Sequence, residues 1–184
     1  MRVEAALADR TTDLSSILTL NVALLMQAEE LLERIDDAHY LRTDPLSPGG
    51  GISLHMRHCL EFYGCFLRGL PRGRIDYVRR QRGGAVERSR MAALREVRAT
   101  IAALERLEDA AILPTLAVRA EECVDDIEED WTSSTAAREA QFLASHTTHH
   151  FAVVAILLRS AGIEPPADFG VAPSTLRHWR KEAS

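Results

Sequence analysis

Two histidines one helical turn apart can send both imidazoles off the same helix face toward a single metal ion. The chain holds such a pair, His146 and His150, within the apolar stretch Ala144-Ser145-His146-Thr147-Thr148-His149-His150-Phe151-Ala152-Val153-Val154. Burying two neutral imidazoles among Val, Leu and Ala costs desolvation free energy unless their nitrogens are used, and a metal uses one on each ring. The competing reading is a core histidine whose nitrogens meet a carbonyl or a hydroxyl. His149 lies about 100° from His150 and about 60° from His146 around the helix, which puts it at the boundary of their face. Two ligands rarely make a site. Far upstream stand His55 and His58, with Glu61 three residues beyond. His58 aligns with Phe62 and Cys65, His55 with Cys59 and Phe62, and spacing gives His58 only a narrow preference.

Positioning these groups requires helices, and the pattern supplies four. Leu14, Ile17, Leu18, Asn21, Leu24, Leu25, Ala28, Leu31, Leu32 and Ile35 keep a three-four spacing from Asp13 onward, which predicts a long amphipathic helix. Pro45, Pro48 and the glycines at 49–51 end any helix there. A second helix is expected from Ile52 to about Arg68, stopped by Gly69-Leu70-Pro71. A third is expected over Ala85 to about Glu108, carrying Met91, Leu94, Val97, Ile101, Leu104 and Leu107 at helical period. Residues 116–121 and 127–132 can pair as a short hairpin around Val124-Asp125-Asp126. Ser133, Ser134 and Thr135 then offer N-caps to a fourth long helix, Ala136 to Ser160, closed by Gly162. The predicted fold is all-α, an up-down-down-up four-helix bundle over 1–162 with the hairpin before its last helix. Residues 163–184 form a tail packed on the bundle, with Trp179 as a lid over its end.

With 184 residues, 46% hydrophobic and 27% charged, the chain can fill one core and does not have the makeup of a disordered protein. Aromatics are only 5%, which favours helix over sheet. A net charge of -5 disfavours nucleic acid as a partner for the whole surface. A local basic run from Arg68 to Arg82 includes Arg72, Arg74, Arg79 and Arg80; it reads as a solvated loop, with an anion site as the alternative. Gly170 to Arg180 looks like the start of a recognition helix, but Pro165 and Pro166 stand where the partner helix of that module would lie. Cys59, Cys65 and Cys123 are an odd set without a C-x-x-C pair, so a reducing compartment fits, and Cys59 reads as a buried hydrophobe. No apolar stretch reaches membrane-spanning length without charge, and the expected location is the cytoplasm.

Ile52-Ser53 leading to His58, followed by a last helix reading Arg138-Glu139-x-Gln141-Phe142-x-x-x-His146-x-x-x-His150, resembles the DinB-like superfamily of metal-binding four-helix bundles, which includes bacterial thiol-dependent transferases. The resemblance runs from the first helix to Gly162. It implies that His58, His146 and His150 form a triad on a divalent metal, with zinc or nickel foremost and iron or manganese as alternatives. It further implies a homodimer through exposed helix faces and a small-molecule thiol as co-substrate. After the last histidine the chain reads Phe151-Ala152-Val153, where many members of that superfamily read Arg-Gly-Gln.

Three neutral nitrogens and an open fourth position would make a Lewis-acid site, able to turn a water or a thiol into a nucleophile near neutral pH. The enzyme reading is therefore a metal-dependent transferase or hydrolase. Glu61 is the nearest sequence candidate for its catalytic base or for a carboxylate partner of His58. Glu139, seven residues before His146, can orient a ligand or favour the helix start through the dipole. The alternatives are a non-catalytic metal-stabilised bundle, a stress-response interaction module, or a structural protein without metal. Neither a phosphate-binding glycine loop nor a serine nucleophile elbow occurs.

Overall fold

Helix α1, Leu14–Arg34, buries Ile17, Leu18, Asn21, Leu24, Leu25, Ala28, Leu31 and Leu32, the stripe its three-four spacing requires. The computed structural model describes residues 14–44, 47, 50–79, 83–109, 115–120 and 131–182. A short α2, Asp37–Leu41, starts at Asp36, whose carboxylate accepts from the His39 amide at 2.8 Å. Helix α3 runs Ile52–Gly69 from an N-cap at Gly51. A Cβ at Gly51 would collide with the Arg42 carbonyl oxygen, so this position has no room for a side chain.

The third predicted helix is broken. Ala85–Arg88 forms α4 and Arg90–Glu105 forms α5, separated by Ser89 in an extended conformation (φ -149°, ψ 117°). Its hydroxyl accepts from the Ala92 amide at 3.2 Å, which makes Ser89 the N-cap of a new helix instead of an interior residue. A 3-10 turn over Arg106–Asp109 follows α5. Helix α6, Ala136–Ser160, is capped by Thr135, whose Oγ1 accepts from the Arg138 amide at 3.2 Å. The last helix, α7, spans Pro173–Glu182.

Four helices enclose the core: α1 packs on α5 and α6, and α3 packs on the same two. Phe66, Leu32, Leu104 and Leu158 are wholly buried between them, each contributing about 1.5–3 kcal/mol by removal from water. No helix among the described residues is long and apolar enough to cross a membrane.

Beside the bundle lies a small sheet. Strand β1, Arg74–Asp76, pairs in parallel with β2, Leu116–Arg119, and β2 pairs antiparallel with β3, Thr132–Ser134. The β2–β3 register sets Leu116 against Ser134 and Val118 against Thr132. The expected antiparallel pairing is therefore present, but its second described strand is Thr132–Ser134, meeting the expected 127–132 only at Thr132, and the all-α expectation gives way to a three-stranded sheet. Its third member, β1, comes from the basic run read as a loop. The turn at Val124-Asp125-Asp126, together with Cys123, Arg80, Arg82 and the prolines of the 43–51 break, lies outside the described residues.

The tail rests on α6 through a residue other than the one expected. Phe169 stacks on Phe151 with ring centroids 4.9 Å apart and 9° between planes. Gly170 follows at φ +70°, where a Cβ would come within 2.5 Å of the Ala152 amide nitrogen. Trp179 is 48% exposed, whereas Phe169 is buried against Phe151. Pro173 begins α7, so of the stretch 170–180 residues 173–180 are helical and 170–172 lead in from a turn.

Candidate metal centre

Helix α3 contributes His58 and α6 contributes His146 and His150; one ligand nitrogen from each lies within 4.8 Å of the other two. The ring centroids stand 4.9 Å apart for His58 and His146, 4.6 Å for His58 and His150, and 4.5 Å for His146 and His150. All three are half-buried. The α3–α6 contact positions them, and Phe62 supports His146 with its ring 4.5 Å away.

Burial, followed by the proximity of His146, His55 and His149, holds the His150 pKa down to about 3. Its imidazole is therefore neutral at pH 7, with a lone pair available. Burial, and then His149, likewise lowers the His55 pKa. The donor set fits a divalent ion. Bonds of about 2.05 Å in a tetrahedron place nitrogens roughly 3.3 Å apart, inside the 4.8 Å that bounds the nitrogens of the three histidines.

His55 and His58, nearly equivalent by helical phase, have different positions. His58 joins the triad, whereas His55 stands behind it, with its Nδ1 2.8 Å from Nδ1 of His150 and its Nε2 3.4 Å from Ser47 Oγ. His149 is exposed, with its ring edge-on to His150 at 5.3 Å. Glu61 is not brought to the triad. Its carboxylate takes two bonds from Arg57, at 3.1 and 3.3 Å, and lines a cavity between α3, α4 and α5.

A different cavity opens on His146. It measures about 340 Å³ and is walled by Phe62, Tyr77, Val118 and Phe142, with Arg138 and Glu139 on its border. Glu139 is buried and accepts from Ser134 Oγ at 2.5 Å. Tyr77 lies beside that carboxylate, and burial first, then Glu139, keeps its hydroxyl protonated far above neutral pH. No motif marks Tyr77. The available signal was the alternation of Ile75 and Tyr77 in an otherwise polar run, the period of a strand with one covered face.

The basic run has a separate place. Arg72, Arg74 and Arg79 are exposed around a cavity of about 500 Å³ that also meets Asp76, Arg119 and Trp131, with the Arg74 guanidinium 3.7 Å from the Trp131 ring centroid. Cys59 is free and buried, and burial pushes its thiol up to about 12, as befits a packing residue.

No family model and no solved structure matches the chain. Over 108 residues it is 27% identical to the FK506-binding protein 5 of Rhizopus delemar, a stretch that makes up 59% of this chain and 28% of that protein. The match thus spans under a third of that relative's length.

Proposed function

We propose that this chain is a DinB-like bundle that holds one divalent metal on His58, His146 and His150 and works as a metal-dependent transferase or hydrolase. The observation that carries the reading is the convergence of three imidazole nitrogens from two helices within 4.8 Å. A cavity reaching His146 supports the catalytic form of the reading over a sealed structural site.

A bound zinc or nickel ion would supply Lewis acidity, lowering the pKa of a water or a small-molecule thiol at its open position. The chain's own residues do the rest. Phe62, Phe142 and Tyr77 exclude water and hold an apolar substrate body against His146. Arg138, exposed at the border, attracts an anionic group. Tyr77 keeps its proton and can donate a hydrogen bond to a developing negative charge. Pairing into a homodimer through exposed helix faces belongs to the same reading.

The test is the metal content of protein purified without an affinity tag, compared with His58→Ala and His150→Ala. About one equivalent in the parent and none in either variant is the expected result; equal content in all three removes the triad. With cobalt as the probe metal, a spectral change on adding 2-mercaptoethanol would demonstrate an open position. An unchanged spectrum would indicate a closed, non-catalytic site.

A further inference from the structure

The contact between His55 and His150 has a direction that metal binding selects. Two neutral imidazoles with facing Nδ1 atoms 2.8 Å apart share one proton between those atoms, so one ring donates and the other accepts. If His55 donates, the proton of His150 sits on Nε2, and that ring has no lone pair left for an ion. If His150 donates, its Nε2 lone pair is free for the triad. In that case the proton of His55 sits on Nε2, where Ser47 Oγ, at 3.4 Å, is the acceptor. The second arrangement gives every group one role: His150 Nδ1–H donates to His55 Nδ1, and His55 Nε2–H donates to Ser47 Oγ.

We propose that His55 is a positioning residue that holds His150 in the Nδ1–H tautomer and aims its Nε2 at the metal position, with Ser47 fixing His55 in turn. This rests on the metal reading above for its consequence, though the tautomer itself is a property of the metal-free protein. Outer partners of this kind both orient a ligand ring and raise its basicity, and their loss costs about 10–100-fold in metal affinity. The same contact explains why two histidines three apart on α3 occur together: one supplies a ligand and the other supports the ligand on the facing helix.

The inference is separable from the triad by experiment. Nitrogen-15 shifts of the histidine rings in the metal-free protein should show the His150 proton on Nδ1 in the parent. In His55→Ala that preference should collapse into a mixture of tautomers. Zinc affinity, measured by competition with a chromophoric chelator, should fall about 10–100-fold in His55→Ala. In His55→Asn, whose Oδ1 lies near the lost Nδ1 and can accept the same proton, it should recover to within a few-fold. X-ray absorption of the zinc protein should count three imidazoles in the parent and in His55→Asn.

A proton on Nε2 of His150 in the metal-free parent overturns the proposal. So does a fourth imidazole in the parent that disappears in His55→Asn, which would make His55 a ligand, and so does full zinc affinity in His55→Ala. Absence of zinc binding in a parent that shows the Nδ1–H tautomer would instead sink the metal reading and leave the His55–His150 arrangement standing. Thermal melts of the metal-free proteins separate these outcomes from misfolding.

Discussion

Two polar clusters cross the same bundle, and they are built in opposite ways. Nearer its centre, Asn21 donates from Nδ2 to the carbonyls of Ile17 at 2.8 Å and Ala140 at 3.0 Å and accepts the Tyr63 hydroxyl at 2.8 Å, while Thr147 donates to the Tyr63 oxygen at 3.2 Å. This cluster ties α1, α3 and α6 together, and its side chains saturate one another. Toward one side, His55, His58, His146 and His150 gather their rings, and a ligand nitrogen of each of the last three lies within 4.8 Å of the other two. The first arrangement is what a bundle needs for specificity. The second gathers imidazoles around one point, and Thr147 lies next to His146 in the chain, so one helix serves both.

The largest difference should appear in His150→Ala, which is expected to abolish zinc binding in a chelator competition and leave the melting of the metal-free protein nearly unchanged. Asn21→Leu should do the reverse. It leaves the buried Tyr63 hydroxyl proton without its acceptor and takes the second hydrogen bond from the Ala140 carbonyl, and urea unfolding should register a loss of about 2–4 kcal/mol with metal affinity intact. A large change in metal affinity in Asn21→Leu would mean the two clusters are one coupled network. Thr147→Val removes a single buried hydroxyl at nearly constant shape. About 1 kcal/mol of lost stability is expected, and zinc affinity within twofold of the parent would confirm that the boundary between the clusters falls between residues 146 and 147. His149→Ala should be the mildest. Its ring is exposed, so both stability and metal content should stay within error, the former inside about 0.5 kcal/mol; a clear loss of metal would move the boundary outward.

The pair on α6 was legible because both histidines lie on one helix, and period alone sets them on one face. The choice between His55 and His58 was not, because both lie at acceptable phases on α3 and only the packing of α3 against α6 distinguishes them. The break at Ser89 was not legible either, since nothing local distinguishes an interior serine from one whose backbone turns extended to cap a new helix. Strand β1 was hidden for another reason. Three residues, Arg74-Ile75-Asp76, become a strand only by pairing with Ala117, Val118 and Arg119 across a long sequence gap, and such pairing leaves almost no local trace. The walls of the cavity beside His146 were lost with it, because Tyr77 continues from β1 and Val118 lies in its partner strand. What could be read locally was most of the helices and the histidine pair on α6, with His58 singled out only by the family resemblance; strand β1 and the cavity walls are created by contact between distant segments.

Gly51 bears on how fast an ion could enter. With the Arg42 carbonyl occupying the space where a side chain would stand, the start of α3 abuts the preceding segment, and His55 and His58 lie about one and two turns along from that contact. If that contact holds the histidines in place, uptake of an ion should be a single fast step limited by shedding of its hydration water. A bundle that had to slide a helix into register would instead show a slow phase independent of metal concentration.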